Sequence, residues 1–503
     1  MKFERASGVL LHPTSLPGPH GSGDFGPAAY HFVDWLAAAS QKLWQILPLG
    51  GIGPGNSPYM SSSAFAGNAL LIDLAELSER GWLDDSDLGP VPGLRDDRID
   101  FATVYPFRMD RLARAAASFE QRGTAGEHED LAAFRRAHAS WIEDWALFMA
   151  LADHHGWTDW CDWPAPLASR QPEALAAARH DHAGRIRFWL FTQWCFFRQW
   201  GRLRRHAHHR GVRIVGDAPI FIAHNSAEVW ARQDLFELDA SGRPTAIAGV
   251  PPDAFSTTGQ RWGNPLYRWP AHAGEGYAWW IERIRRTFEL VDIVRIDHFR
   301  GFAGYWEIPA HEATAVGGRW RPGPGKALFE TISQALGPLP ILAEDLGVIT
   351  PDVDALRQAF EFPGMRILHF AFGSGSANPY LPHNHDPDTV VYTGTHDNDT
   401  SQGWWQSCSE AERQHASDYL ASDGREIHWD LIRAACASVA DTAIHPMQDV
   451  LGLGTEARMN FPGQASGWWT WRFTWDQVRA DHAQQLAELC RLFRRDGTTL
   501  SAD

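Results

Sequence analysis

Three stretches in the second half of this chain run apolar and then stop at acid. They are Val294-Arg295-Ile296-Asp297-His298-Phe299, Ile341-Leu342-Ala343-Glu344-Asp345 and Val390-Val391-Tyr392-Thr393-Gly394-Thr395-His396-Asp397. The acids recur at intervals of roughly fifty residues, enough for a strand, a loop, a helix and a return. A short buried strand that ends in Asp, Glu or His-Asp is what a barrel strand looks like where its C-terminal end opens into an active site. Two or three carboxyl groups converging on one pocket are the equipment for breaking a glycosidic bond. Asp297, Glu344 and Asp397 are therefore the candidate catalytic groups of an enzyme acting on sugars.

Their neighbours fit the same chemistry. Arg295 lies two positions before Asp297 and faces the same way along a strand. A guanidinium there is expected to lower the pKa of Asp297 and hold it ionised. Alternation lets only one of Glu344 and Asp345 point inward, and only one of Asp397 and Asn398; sequence alone leaves each pair open. His396 suits a bond to a substrate hydroxyl. Asp217, near the end of its own apolar run, is as suited to bracing the barrel as to touching substrate. Taken singly, each acid could serve a buried structural ion pair; three at three strand ends favour chemistry. His206, His208 and His209 sit in an Arg-rich stretch that reads as a solvated helix end rather than a metal site. Neither a metal nor a cofactor is called for. No Gly-rich turn matches a dinucleotide site or a P-loop. Lys2, Lys42 and Lys326, the only lysines, lie at no strand end, which leaves no Schiff-base barrel chemistry.

Eight strand candidates would position these groups: 8–13, 43–49, 212–221, 294–299, 341–345, 365–370, 390–397 and 457–462, with 69–74 a doubtful ninth. Helical stretches separate them, which predicts a (β/α)8 TIM barrel. A mostly helical insertion is expected over 75–210. A loop-rich one is expected over 223–285 above the active site, because 249–265 is too rich in Gly and Pro for a helix. The whole of 1–503 then forms one catalytic domain.

Bulk properties narrow the partners. A net charge of −16 argues against nucleic acid and against an anionic membrane, and suits a neutral substrate. Five scattered cysteines without C-x-x-C spacing suit a reducing compartment. The N-terminus lacks an apolar h-region, so a cytoplasmic protein is expected. The 25 tryptophans are expected mostly in the core, with a few offering flat faces to sugar rings in a cleft.

The chain resembles 4-α-glucanotransferases, the amylomaltase or disproportionating-enzyme branch of the α-amylase superfamily, over nearly its whole length. The resemblance is carried by Asn56-Ser57-Pro58-Tyr59, Ala64-Phe65-Ala66-Gly67-Asn68, Gly216-Asp217, the loop from Pro251 to Tyr267, Arg295-Ile296-Asp297-His298-Phe299-Arg300-Gly301, Ala343-Glu344-Asp345-Leu346-Gly347, Gly394-Thr395-His396-Asp397-Asn398, and Gly454-Thr455-Glu456-Ala457-Arg458-Met459-Asn460. It implies Asp297 as nucleophile, Glu344 as general acid/base and Asp397 as transition-state stabiliser. Arg295, His396 and Asp217 fall on supporting positions. Ser57, Tyr59, Asp253, Gln260 and Trp262 match positions that line the glucan cleft. The expected partners are maltooligosaccharides and α-1,4-glucans, as donor and acceptor. A plain α-glucan hydrolase and a non-catalytic glucan-binding protein are the alternatives. Because the chain starts directly at the barrel, it looks like the shorter type without added N-terminal domains. Ala254, Pro54 and Trp468 depart from the usual residues, the first two in places tied to acceptor binding and a secondary glucan site.

Overall fold

A computed structural model of the chain describes residues 3–89, 91–252 and 256–497. Eight parallel strands form the central sheet: β1 (Ala6–Leu10), β2 (Leu43–Gln45), β3 (Arg213–Pro219), β4 (Ile293–Asp297), β5 (Ile341–Ala343), β6 (Gly364–Ile367), β7 (Thr389–Tyr392) and β8 (Thr442–Pro446). Their lateral order is β6-β7-β8-β1-β2-β3-β4-β5, sequential around a ring. The ring closes between β5 and β6, where Ala343 N–H donates to Pro363 O at 3.0 Å. The Asp345 carboxylate accepts the Met365 N–H across the same seam at 2.6 Å. This is a TIM barrel.

Its strands are short and buried on both faces, as a parallel sheet wrapped in helices requires. In β4, Val294 and Ile296 pack outward into the core. Their alternates Arg295 and Asp297 are left to face the barrel interior. Between β2 and β3 the chain is largely helical. Its longest helix, Ala183–His209, packs on Ile142–His154 and on Pro27–Ala38. Gly211, at φ +72°, follows its end in the left-handed conformation that glycine adopts without strain. His206 and His208 in its last turn face separate carboxylates, Asp34 at 2.8 Å and Asp292 at 2.9 Å. Most tryptophans, among them Trp44, Trp160, Trp200 and Trp230, are buried.

Three sequence expectations are corrected. The eighth strand is Thr442–Pro446, not 457–462; the latter segment opens in a 3-10 turn, Thr455–Ala457, and continues as coil. The apolar run at 69–74 enters no sheet, its first half being a 3-10 turn, Ala69–Leu71, capped by Asn68. The Gly- and Pro-rich stretch at 249–265 is not simply loop. Ala246–Val250 and Gln260–Pro265 join Gly304–Pro309 and Arg319–Pro322 in a four-stranded antiparallel sheet. Gly249 is needed there, since a Cβ at that position would stand 2.1 Å from Gln260 O on the paired strand. Among the described residues no helix is long and apolar enough to cross a membrane.

Candidate active site

The candidate side chains stand at the C-terminal ends of β3, β4, β5 and β7, with the loop after β2 leaning in. Strand register does most of the positioning. Asp217 on β3 is the partner of Arg295 on β4, and Pro219 is the partner of Asp297. With side chains alternating, Asp217, Arg295 and Asp297 share the interior face. Arg295 Nη1 donates to both oxygens of Asp217, at 2.8 and 2.7 Å, and lies 3.0 Å from Asp297 Oδ1. One guanidinium nitrogen thus holds two carboxylates. Only Asp297 is open to the cleft: its side chain keeps 29% exposure, against 0% for Asp217 and 3% for Arg295.

Glu344 is held by backbone. Its Oε2 accepts the His298 N–H at 2.7 Å and its Oε1 accepts the Leu346 N–H at 2.9 Å. His298 adopts a left-handed conformation, φ 55° and ψ 47°, which costs a non-glycine residue roughly 1 kcal/mol. That turn aims its N–H at Glu344, so the residue after the β4 acid orients the β5 acid. The neighbour Asp345 points the other way, to Met365 N–H and the guanidinium of Arg366, which settles that pair.

Burial pushes the Glu344 carboxyl up to about 8, with the nearby Asp297 charge adding to the rise; Arg295 and the two backbone N–H groups pull it back only in part. Asp297 is raised to about 6. Desolvation is the largest cause and outweighs the lowering by Arg295, while Asp217 and Asp397 push it further up. The lowering expected from Arg295 is present, but it does not bring Asp297 down to the ordinary carboxylate range. Arg295 moderates a rise that the surrounding protein imposes. Between about pH 6 and 8 the arrangement keeps Asp297 ionised and Glu344 protonated, a carboxylate and a carboxylic acid in the same pocket.

Asp397 follows β7. Asn460 Nδ2 donates to its Oδ1 at 2.6 Å, and Arg458 Nη2 donates to its backbone carbonyl at 2.7 Å. His396 Nε2 lies 3.5 Å from Asp397 Oδ2 and 2.9 Å from the Tyr59 hydroxyl, which itself donates to Asp217 Oδ2 at 2.7 Å. Tyr59 stacks on His396 with ring centroids 5.3 Å apart. Arg295, Asp217, Tyr59, His396 and Asp397 are therefore one connected polar network.

A family model described as 4-alpha-glucanotransferase matches residues 11–478. The chain belongs to the 4-alpha-glucanotransferase family. It is an enzyme of that activity. A curated 4-alpha-glucanotransferase from Thermus thermophilus is 50% identical, over 98% of this chain and 100% of its own. Another from a Synechocystis strain is 47% identical, over 98% and 99%. The fold superposes on an amylomaltase from Streptococcus agalactiae, solved in complex with acarbose, with a TM-score of 0.95. That protein is 39% identical, with 98% of this chain and 100% of that one covered.

The other residues expected to line the cleft take varied places. Ser57 Oγ accepts the Tyr59 N–H at 3.2 Å, capping the turn that carries Tyr59. Gln260 Oε1 accepts the Trp262 indole N–H at 3.1 Å, and the Trp262 ring meets His298 edge-on at 4.8 Å. The antiparallel sheet therefore touches the turn that orients Glu344. Asp253 and Ala254 lie outside the described residues. Three contributors escaped sequence reasoning: Asn460, the backbone of His298, and Trp469, whose ring lies 5.7 Å from Tyr59 and 5.9 Å from His396. Asn460 and His298 sit inside motifs that carry the resemblance, which was the available signal. Away from the acids, Asp159, Cys161 and His224 bring metal-type donors within 4.8 Å of one another.

Proposed function

We propose that the enzyme moves α-1,4-glucan segments between maltooligosaccharides by a retaining double displacement. Glu344 gives its proton to the glycosidic oxygen as an oxygen of Asp297 attacks the anomeric carbon; the C–O bond to the leaving glucan breaks and a covalent glycosyl-enzyme forms. Glu344, now ionised, takes the proton from the 4-hydroxyl of an incoming glucan, whose oxygen displaces Asp297 and restores the original stereochemistry. Asp397, oriented by Asn460, stabilises the positive charge that develops on the sugar ring. Ser57, Tyr59, Asp253, Gln260 and Trp262 bind the glucan, beside Arg295, His396 and Asp217. The observation that carries this reading is the split between the two carboxyls, about 6 for Asp297 and about 8 for Glu344: burial raises both, and the Asp297 charge raises Glu344 further. We take 1–503 as one catalytic unit, with 75–210 a helical insertion and 223–285 an insertion over the cleft. Its setting is starch or glycogen metabolism in the cytoplasm, which five unpaired cysteines suit. The partners are glucans; a net charge of −16 speaks against nucleic acid and anionic membranes.

Incubation with maltotriose tests it. A ladder of longer and shorter oligosaccharides with no net gain in reducing ends is the expected result. Short products with a matching rise in reducing ends would mean hydrolysis by the same carboxyls. No turnover would leave only glucan binding.

A further inference from the structure

A small cavity lies beneath His396, at the catalytic end of the barrel. It is lined by His12, Ser15, Leu47, His396, Gln448 and Trp471 among others, and has about 10 Å³ of room for the centre of a water-sized sphere. That is space for one water molecule. Three lining residues carry a buried polar atom with no protein partner among the described residues: His12 Nδ1, Ser15 Oγ and His396 Nδ1. Buried polar groups are rarely left unpaired, and three around one water-sized space call for a common partner.

The protons in the network say what that partner must do. Tyr59 has one hydroxyl proton and spends it on Asp217 Oδ2, a carboxylate already bound to Arg295. Toward His396 Nε2, 2.9 Å away, the Tyr59 oxygen can therefore only accept, so Nε2 carries the hydrogen. In the neutral ring Nδ1 is then a bare acceptor, and it needs a donor from the cavity side.

We propose that one water seated in this cavity donates to His396 Nδ1 while bonded to His12 and Ser15, so that His12 is a positioning residue that sets the tautomer of His396. His12 lies one residue beyond the end of β1 and heads the turn Pro13–Ser15, which ties it to the barrel. Burial pushes its imidazole down to about 3, so it stays neutral, and its Nδ1 can meet a water as donor or acceptor according to its tautomer. With Nδ1 satisfied, His396 keeps its Nε2–H toward Tyr59 and Asp397. The opposite tautomer would aim a lone pair at the Tyr59 oxygen and at the Asp397 carboxylate, loosening the network that ends at Asp297. The consequence for rate rests on the transferase reading above; the water and the tautomer do not.

The test begins with the wild-type enzyme. A crystal structure sharp enough to order waters is expected to place one within hydrogen-bonding distance of His396 Nδ1 and of His12 or Ser15; a dry cavity would overturn the proposal. Nitrogen-15 spectra of histidine-labelled enzyme, with His396 assigned by its loss in His396→Gln, are expected to report the Nε2–H tautomer, and a wild-type Nδ1–H tautomer would equally overturn it. In His12→Leu the His396 signals are expected to move toward a tautomer mixture while kcat falls roughly tenfold with KM little changed. His12→Gln, which keeps a donor and an acceptor, should recover most of that loss. A lower melting temperature in His12→Leu with unmoved His396 signals would reduce His12 to a structural residue. Should His12→Leu fail to fold, Ser15→Ala and the two wild-type measurements decide.

Discussion

Replacing Asp217 by Asn should move the acid limb of the pH profile down, not up. The Asp217 side chain is fully buried, yet it shares Arg295 Nη1 with Asp297, at 2.7 and 3.0 Å. The two carboxyl groups therefore lie within ~6 Å of each other, where like charges at an effective dielectric of about 20 repel by roughly 3 kcal/mol, or about 2 pKa units. The guanidinium between them offsets part of this, so about one to two units is the expected effect. The amide introduced by Asp217→Asn keeps the size and an acceptor for the Tyr59 hydroxyl but drops the charge, and it frees Arg295 to act on Asp297 alone. Asp297, raised to about 6 in the parent with Asp217 among the causes, should fall to about 4–5. In the proposed mechanism Asp297 works ionised, so a lower pKa extends activity toward acid. The assay is kcat/KM for maltotriose disproportionation against pH, which reports the free enzyme's groups. The parent should be bell-shaped with limbs near 6 and 8, and the variant's alkaline limb should move less, because Glu344 is raised first by burial. An acid limb that stays put or moves upward would refute the view that Asp217 raises Asp297.

Arg295→Gln perturbs the same pair with the opposite sign. Loss of the cation should raise the acid limb, and because Asp217 is left buried without its counter-charge, stability in urea should drop by about 3–5 kcal/mol. Asp297→Asn removes the attacking charge while keeping its shape; transfer should fall at least ~10³-fold, about 4 kcal/mol in the barrier, and activity within tenfold of the parent would strip Asp297 of its role. Glu344→Gln should lose transfer from maltotriose yet still take up glucose from α-glucosyl fluoride, a leaving group that needs no acid; equal loss with both donors would count against Glu344 as the proton source. Asn460→Ala deletes the 2.6 Å donor to Asp397 Oδ1, and a hydrogen bond to a charged group of about 1.5–3 kcal/mol predicts a roughly 10- to 100-fold fall in kcat/KM; an unchanged value would show that Asp397 needs no such support.

The acids were legible because a barrel strand must be apolar where it is buried and can turn polar only at its rim. That transition survives in one dimension at Asp297, Glu344 and the segment before Asp397. The eighth strand had no such contrast. Thr442–Pro446 is buried throughout, yet it is five residues long and contains His445 and Pro446, while the more strand-like 457–462 lies elsewhere. That segment is stitched edge-on to the β7 loop, through Asn460 N–H to His396 O and Arg458 to Asp397 O, bonds that belong to the site and not to a sheet. The antiparallel sheet was illegible for another reason. Arg319–Pro322 is exposed at all four positions and has no apolar face to announce it, and the Gly249 that reads as loop is there because the paired backbone passes too close for a Cβ.

Protonation was the least legible property, because it depends on how much protein closes over a group and not on which residue stands beside it. Arg295 two places before Asp297 suggested a lowered pKa, and the sign of its influence was right. Burial reverses the net result. The same burial lifts Glu344 further, because the Asp297 charge adds to the rise and the backbone N–H groups pull it back only in part, whereas Asp297 keeps the guanidinium at 3.0 Å. The two carboxyls are thus driven upward together by the pocket, and set apart by the Asp297 charge acting on Glu344 and by the guanidinium held against Asp297. A guanidinium placed symmetrically between them would lower both and leave no acid. Register prevents that: Arg295 is paired with Asp217 and shares its strand with Asp297, while Glu344 hangs from the turn at His298. The split between the two carboxyls is therefore a consequence of strand alignment in β3 and β4.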